Sequence, residues 1–279
     1  MTAKTKKLTG KIFIGIILAF VCFIWIYPFL WMISASFKST MELFQNGLKL
    51  MPEHFSFDSY IRAWVKGNFG KYFFNSVFVT LWTIALVVIR CAMAGYVLGT
   101  YDFRGKKLII SVLLATFLIP TGTTIIPTVD ISDALGLLNT RIGMILALGG
   151  GGNVAALMLY KATFEGIPKS LREAAEIDGA GFFTSFSRIM LPMSGAVTAT
   201  TVIMTFMGAW NNFMIPLVFS FGKPEYRTLP VGMMAFQGAN ETDWSGMAAA
   251  GTISLVPIML VFICLQKYFI NGIAGAVKE

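Results

Sequence analysis

Long apolar segments without charged residues are the feature that most limits how this chain can fold. The first, residues 12–33, has 22 uncharged residues in succession, and about 20 suffice for a helix to cross the bilayer core. Backbone groups in hydrocarbon must pair within their own segment, so we predict an all-α polytopic membrane protein. The six predicted crossings are 12–33, 72–100, 108–129, 142–160, 189–222 (interrupted) and 245–266.

The composition excludes a soluble domain of this length. The 279 residues are 56% hydrophobic and 13% charged, and the mean hydropathy is +0.72, so lipid is the expected main solvent. The net charge of +8 comes from short basic groups between apolar segments, which indicates membrane topology and not a nucleic-acid face. We predict a single transmembrane domain over residues 1–279.

The distribution of lysine and arginine predicts the orientation. If the N-terminus is cytoplasmic, the inner segments carry 13 Lys and Arg and the outer segments carry eight, which favours cytoplasmic N- and C-termini. The first apolar segment followed by residues 34–36 also resembles a signal peptide, but it is longer than a typical signal sequence. We therefore expect a retained first helix.

The fifth apolar segment is too long for one helix. It holds 34 residues, and a proline in its second half, Pro216, removes a helical hydrogen bond. Broken helices at membrane depth occur where they face protein or a watery cavity, so the break is either part of a substrate pathway or a packing kink. The candidate pathway residues are Trp210, Asn211, Asn212 and Phe213, followed by Pro216.

Other features within the crossings have two interpretations each. Residues 120–127 interrupt the third crossing, and the fourth begins with the glycine run 149–152. Each of these two interruptions is either part of a substrate pathway or a kink that serves packing. Arg90 either extends its guanidinium to the inner lipid headgroups or serves a cavity or partner. Gly95 and Gly99 form a GxxxG pair that permits close helix approach.

Catalytic and metal chemistry find no support in the sequence. Cys22, Cys91 and Cys264 each lie alone in an apolar segment, and His54 lacks neighbours at metal-ligand spacing. We expect no catalytic residue and no metal site. An ion-coupled secondary transporter would need carboxylates within the crossings, and a membrane enzyme would need a nucleophile or base there; the apolar segments contain neither.

The inner loop over residues 166–192 carries the most information about function. It predicts a short helix, a glycine turn at Gly179 and a second short helix. Ser170 and Glu173 have the spacing of a capping box, and Gly179 stands where a C-terminal cap is expected. Apolar side chains in a loop that faces water indicate docking into a partner's groove.

The spacing of this loop resembles the EAA loop of ABC-importer permeases. Glu173, Ala174, Ala175, Gly179 and the segment 189–192 (IMLP) match that pattern. Six stretches, one of them within this loop, resemble the carbohydrate (maltose and oligosaccharide) branch: IPTGTTIIPT with LGLLNT, IPKSLREAAEIDGA, GAWNNF, TLPVGM and the tail LQKYFINGIAGAVK. The resemblance therefore covers the chain nearly from end to end.

The resemblance implies a permease subunit whose loop, a coupling helix, docks on a cytoplasmic ATPase. It implies a second permease subunit, two ATPase subunits, an extracytoplasmic sugar-binding protein and a prokaryotic cell membrane. This chain has no GxxxxGK[ST] stretch, so ATP and Mg²⁺ are expected on the ATPase and no cofactor on this chain. The implied docking residues are Leu171, Glu173, Ala174, Ala175, Ile177, Gly179 and Phe182, with a second contact at Gly275, Ala276 and Lys278.

Two departures from the family pattern affect the pathway and not the loop. Asn212 stands where relatives commonly have an acidic residue, and the glycine run 149–152 with Asn153 is atypical. The substrate is therefore open to an alternative within the same family, a non-sugar solute such as a peptide or an anion. A basic cavity would favour an anion, but Arg90 is the only cation in the crossings.

Overall fold

A computed structural model describes residues 3–45, 49–238 and 241–276. The described part is helical, with one isolated β-bridge between Gln237 and Thr242 and no strand, which confirms the all-α prediction. The α-helices are α1 (Ala3–Ala35), α2 (Thr40–Gln45), α3 (Asp58–Ile61), α4 (Phe69–Thr100), α5 (Lys106–Ala115), α6 (Ile125–Ala134), α7 (Arg141–Gly149), α8 (Val154–Glu165), α9 (Lys169–Ile177), α10 (Phe182–Ser185), α11 (Leu191–Met193), α12 (Gly195–Trp210), α13 (Met214–Phe219), α14 (Leu229–Gly232) and α15 (Trp244–Ala276).

Shorter helical turns complete several of these elements. π-Helical turns cover Arg62–Lys66 and Phe186–Met190, and the second makes Phe182–Met193 one continuous helical segment. The 3₁₀ turns are Thr116–Leu118, Thr121–Thr124, Pro224–Tyr226 and Met233–Phe236.

Three helices are long and apolar enough to cross a membrane by themselves. They are Lys11–Ala35 within α1, Phe69–Thr100 and Trp244–Lys267 within α15. Three bent pairs pass the same test together, so the described residues provide up to six crossings. The bent pairs are Lys106–Leu118 with Gly122–Ala134, Arg141–Gly149 with Val154–Glu165, and Phe182–Met193 with Gly195–Trp210.

The breaks explain why the sequence segments are interrupted where they are. The third crossing breaks at Ile119 and Pro120, which are both extended, whereas Pro127 lies in the first turn of α6. The prediction that the fourth crossing begins with the glycine run is wrong. It separates α7 from α8, which meet at a bend of 58°, because Gly152 takes a φ of +69° that side chains other than glycine rarely adopt.

The fifth apolar segment contains two interruptions. The predicted one is present, since α12 ends at Trp210 and α13 begins at Met214. A second lies at Ser194, where Phe182–Met193 and Gly195–Trp210 meet at 80°. The long segment is therefore broken and not merely tilted.

Large apolar side chains of α1 are exposed over most of its length, from Ile12 to Leu30. Trp25 is 75% exposed and Phe13 is 64% exposed, and none of the most apolar window of this helix is buried within the chain. Apolar surface of this extent is unfavourable in water. Its exposure fits a helix that faces lipid or a neighbouring membrane subunit.

The chain divides into two compact units by internal contacts. The first unit comprises the described residues of 1–70 and 233–256, and the second those of 71–232 and 257–279. In the first unit, Arg62 Nε and Nη2 donate to the two carboxylate oxygens of Asp243 at 3.0 and 3.1 Å. Asp243 also accepts the Gly246 N–H at 2.9 Å, which caps the start of α15.

This ion pair sets the charge state of Asp243. Burial by itself raises the pKa of the carboxyl, but the hydrogen bonds from Arg62 and from the Gly246 amide hold it below its usual range. A lowered carboxyl pKa stabilises the fold at pH values above the ordinary pKa, and the contribution is lost as the pH falls through the lowered value. The contact is therefore fully formed at neutral pH.

The core of the second unit is built on the close approach of α4 and α8. A methyl group on Gly95 would lie 2.5 Å from Tyr160 Cβ, and one on Gly99 would lie 2.6 Å from the Lys161 carbonyl oxygen. The GxxxG pair therefore has the packing role that the sequence permits. Tyr96, Tyr160 and Phe164 are buried at this contact, together with Phe186 and Met190 of the Phe182–Met193 segment.

The α4–α8 contact yields a stability prediction. Gly99→Ala places a methyl group against main-chain atoms that cannot rotate away, so we expect a loss of about 1–3 kcal/mol in thermal unfolding of the purified protein. Gly195→Ala is the matched control, because a Cβ there meets no atom within 4 Å. Equal melting temperatures for the two variants would contradict the proposed close contact.

Candidate functional site

The loop over residues 166–192 folds as helix, glycine turn and helix. Gly179 follows the end of α9 with a φ of +82°. The Ala180 N–H donates to the Ala175 carbonyl at 2.9 Å, and the Gly179 N–H donates to the Glu176 carbonyl at 3.0 Å. This pair of bonds is a Schellman motif, so Gly179 ends the helix as the sequence predicts.

The start of α9 differs from the sequence prediction. The helix begins at Lys169, its N-cap position is Pro168, and that position has no side-chain cap. The predicted capping box of Ser170 and Glu173 is therefore wrong. Pro168 is extended, with a ψ of 131°, and the helix starts two residues earlier than predicted, which places Ser170 inside the first turn. Glu173 is left without a capping role.

One face of α9 points away from the rest of the chain. Glu173 and Ala174 are exposed, and Ile177 is 86% exposed. These residues lie three and four positions apart and so share a face, with Leu171, 41% exposed, beside it. We name Glu173, Ala174 and Ile177 the docking face, and Leu171 lies at its edge, three residues before Ala174.

Ala175 does not belong to this face. It is 6% exposed and lies on the opposite side of α9, because two residues along a helix turn a side chain well away from Glu173. The implied docking role of the Ala175 side chain therefore does not fit its position. Its carbonyl accepts the Ala180 N–H in the turn.

Phe182 has a second role that its sequence position did not indicate. Its ring lies 5.2 Å from the Tyr96 ring and 6.0 Å from the Tyr101 ring. The side chain remains 38% exposed, whereas Phe183 is 68% exposed. Phe182 therefore joins the loop to the end of α4, and Phe183 adds apolar surface next to the docking face.

Arg172 is the functional residue that sequence reasoning missed. Its Nη1 donates to the Thr100 carbonyl at 3.0 Å, and its guanidinium lies 5.1 Å from the centre of the Tyr101 ring. It also pairs with Glu176, four residues later, at 3.3 Å. Only the Arg172–Glu176 spacing is visible in the sequence. The contacts with α4 depend on tertiary structure, and they attach α9 to the last turn of that helix.

The predicted pathway residues separate into two environments. Trp210 is 3% exposed and stacks on Phe206 at 5.4 Å, which is a packing position. Asn211 is exposed, and its amide donates to the Met207 carbonyl at 3.1 Å. Asn212 Oδ1 accepts the Ile215 N–H at 3.1 Å, which caps α13, and Phe213 is half-buried.

Asn212 also lines a cavity of about 220 Å³ within the second unit. Thr83 of α4, Asn153 at the start of α8 and Thr205 of α12 line the same cavity. The break at 211–213 and the glycine run therefore meet at one place, although they lie some sixty residues apart in the sequence. The sequence flagged both breaks but gave no sign that they face each other.

Arg90 is half-buried. Its Nε and Nη2 atoms are enclosed by protein and have no hydrogen-bond partner among the described residues. These two atoms lie against the protein, which favours the cavity or partner interpretation of Arg90 over extension to the lipid headgroups.

The tail prediction is placed only in part. The helix α15 continues to Ala276, so Gly275 and Ala276 have helical backbone. Lys278 lies outside the described residues.

Comparison with protein families decides the class of this chain. Residues 91–275 match the family described as binding-protein-dependent transport system inner membrane component. The chain belongs to this family. It is accordingly a multi-pass membrane subunit of a transport system, and membership of a permease family assigns it no catalysis of its own.

Curated relatives cover most of the chain. A probable ABC transporter permease, YurM of Bacillus subtilis, is 36% identical over 253 residues, which are 90% of this chain and 83% of the relative. The diacetylchitobiose uptake system permease NgcG of Streptomyces coelicolor is 36% identical and covers 91% of this chain and 83% of its own. The arabinooligosaccharide transport permease AraQ of Halalkalibacterium halodurans is 33% identical over 93% of this chain and 94% of its own.

A solved structure has the same fold. It is a crystal structure of a bacterial ABC transporter involved in the import of the acidic polysaccharide alginate. The TM-score is 0.84 at 22% sequence identity, with coverage of 96% of this chain and 99% of the other. At this identity the likeness establishes the fold.

The Arg172 contacts lead to a prediction about the position of α9. Arg172→Gln removes the bonds to Thr100 and Tyr101, so we expect a nitroxide attached at Ile177→Cys to become more mobile in electron paramagnetic resonance spectra. Arg188→Gln, an exposed arginine of the same loop, is the control. Identical spectra for Arg172→Gln and the parent would show that Arg172 does not hold α9. Cys22 and Cys264, which are exposed, are replaced by serine in all samples.

Proposed function

We propose that this chain is the permease subunit of an ATP-driven carbohydrate importer and forms half of its translocation pathway. The sugar assignment is supported by the relatives, which include the permeases for diacetylchitobiose and arabinooligosaccharides and one for melibiose, raffinose and stachyose in Bacillus subtilis. The six apolar segments predicted from the sequence also contain no acidic residue. Ion coupling would require such carboxylates, so these segments fit the transport of a neutral solute without it.

The observation that carries the proposal is the docking face. Ile177 has 86% of its surface exposed, and the neighbouring Leu171 and Ala174 are also exposed. Glu173 stands among them and has no ion pair with any residue that the structure describes. An apolar patch with one charge fits a groove on a separate subunit, and we assign that subunit as the cytoplasmic ATPase.

The contacts of Arg172 and Phe182 supply the mechanical link. A conformational change of the ATPase can alter the pathway only if the docking loop and the membrane helices move together. Arg172 bonds to the last residue of α4, and Phe182 packs on the Tyr96 ring of the same helix. Displacement of α9 is thereby transmitted to α4, and through the Gly95 and Gly99 contact to α8.

The assembly and orientation follow from the same proposal. The complex contains a second permease subunit, two ATPase subunits and an extracytoplasmic sugar-binding protein. ATP and Mg²⁺ bind the ATPase, this chain binds no cofactor, and the complex lies in the prokaryotic cell membrane. Both termini are cytoplasmic, as the excess of inner Lys and Arg indicates, and Gly275, Ala276 and Lys278 form a second contact with the ATPase.

Charge reversal on the docking face tests the ATPase contact. Glu173→Lys is expected to lower ATP-dependent uptake by about tenfold or more, because it reverses a charge that the interface buries. The protein is expected to remain in the membrane. Ser187→Lys introduces a lysine at another exposed position of the loop and serves as the control. Normal uptake and normal ATPase co-purification in Glu173→Lys would refute the docking role.

Gly179 separates backbone geometry from side-chain contact. Gly179→Asp introduces a side chain at a φ of +82°, where residues other than glycine lose roughly 1–2 kcal/mol, and adds a negative charge at the proposed contact; uptake is expected to be abolished. Gly179→Asn tolerates the left-handed conformation better and carries no charge, so partial uptake is expected. Normal uptake in Gly179→Asp would exclude the turn from the contact.

The substrate class is tested on the purified complex. Reconstituted with its binding protein, the complex is expected to increase ATP hydrolysis when given one of diacetylchitobiose, an arabinooligosaccharide or raffinose. A matched negative control is the same mixture without the binding protein. Stimulation by a peptide or an inorganic anion instead of any sugar would replace the carbohydrate assignment while leaving the docking proposal in place.

A further inference from the structure

The short helix α2 has its charged residue inside and its apolar residues outside. Glu42 is 7% exposed, whereas Met41 is 70% exposed and Phe44 is 72% exposed. Met41 and Phe44 lie three residues apart, so they share one face of the helix. A surface helix in water has the opposite arrangement, with its charged residues outside. The pattern therefore indicates that the outer face of α2 lies in an apolar medium.

The buried charged groups around α2 are bonded to main-chain groups of the same unit. The Glu42 carboxylate accepts the Glu53 N–H at 2.7 Å, and Lys38, which is 1% exposed, donates to the Lys49 carbonyl oxygen. Buried charges without such partners are unfavourable. On the surface, Lys49 and Glu53 form an ion pair at 3.1 Å. These charged side chains are therefore held by partners within the chain, and the exposed face of α2 consists mainly of apolar side chains.

Contacts within the first unit place α2 at the end of a membrane span. The helix follows closely on the span Lys11–Ala35. Its Phe44 ring lies 6.5 Å from the ring of Trp244, which is the first residue of the span Trp244–Lys267 and is 49% exposed. Tryptophan is enriched at the boundary between lipid and water. The apolar medium at this level is the edge of the lipid bilayer.

We propose that α2 is an interfacial anchor, whose Met41 and Phe44 side chains insert into the lipid beside Trp244. The partner is the bilayer itself, and the attachment is apolar and independent of the headgroup charge. The apolar face of an interfacial helix lies about 5–10 Å within the boundary between headgroups and acyl chains. The anchor depends neither on the transported solute nor on the orientation of the chain.

The anchor fixes the depth of two membrane helices. The Thr40 hydroxyl of α2 lies 3.3 Å from the Ser245 hydroxyl in the first turn of α15, and the Ser34 hydroxyl near the end of α1 donates to the Leu50 carbonyl beyond α2. A movement of either helix along the membrane normal would withdraw Phe44 from the lipid. Apolar surface brought into water is unfavourable, so the anchor resists this movement.

Collision measurements on a nitroxide at Met41→Cys test the anchor. The sample is the full chain with the subunits that co-purify with it, in phosphatidylcholine vesicles, with exposed Cys22 and Cys264 replaced by serine. Molecular oxygen concentrates in lipid and a nickel chelate stays in water. We expect the nitroxide at Met41→Cys to collide more often with oxygen, and less often with the chelate, than one at Asp58→Cys. Asp58 is an exposed carboxylate of the same unit and serves as the control that faces water.

Two substitutions of Phe44 provide a second test. Phe44→Leu keeps an apolar side chain, and Phe44→Gln introduces a polar one with a similar helix propensity. With the nitroxide at Met41→Cys, Phe44→Gln is expected to increase collisions with the nickel chelate, whereas Phe44→Leu is expected to leave them unchanged. Both variants are expected to fold, because the side chain is exposed, and the amount of protein in the membrane measures this. The same collision frequency in both variants would contradict the insertion of Phe44.

Three outcomes of the collision measurement would overturn the anchor. Collisions with the nickel chelate that are as frequent at Met41→Cys as at Asp58→Cys would place α2 in water. Infrequent collisions with both reagents would place it against protein, as a contact with another subunit or with a binding protein. A lipid position that requires added phosphatidylglycerol would show that headgroup charge holds the helix and not apolar contact.

Discussion

The contact between α4 and α8 is the interaction on which the second unit depends. Gly95 and Gly99 leave no room for a side chain between the two helices, so the Tyr160 and Phe164 rings can pack against α4. The docking loop is attached to the same pair of helices, through Arg172 at Thr100 and through Phe186 in the shared core. The α4–α8 pair thus connects the cytoplasmic loop to the interior of the membrane domain.

Sequence reasoning succeeded where a local rule determines structure. Uncharged length predicts the spans, the prolines predict the breaks at 119–120 and 211–213, and Gly179 predicts the end of α9, because each depends on a few neighbouring residues. It failed at the start of α9, where extended Pro168 admits the helix earlier than the favourable cap at Ser170 would suggest. An intrinsic capping preference of about 1 kcal/mol is easily outweighed by tertiary context.

Contacts distant in sequence could not be predicted from one chain. Arg172 reaches a carbonyl 72 residues away, and Thr83 shares a cavity with Asn153 and Asn212. Nothing in the composition around these residues marks them, because a threonine in an apolar helix and an arginine in an exposed loop are both ordinary. Burial of the unpartnered hydroxyl is visible only once the helices are assembled.

The length of α15 has a consequence for the far end of the chain. Lys267 is the first charged residue of this helix, and the helix continues to Ala276. Nine further residues at 1.5 Å each extend it by about 13 Å, more than the width of a helix. A tilt of the helix is therefore amplified into a sideways displacement of its tip.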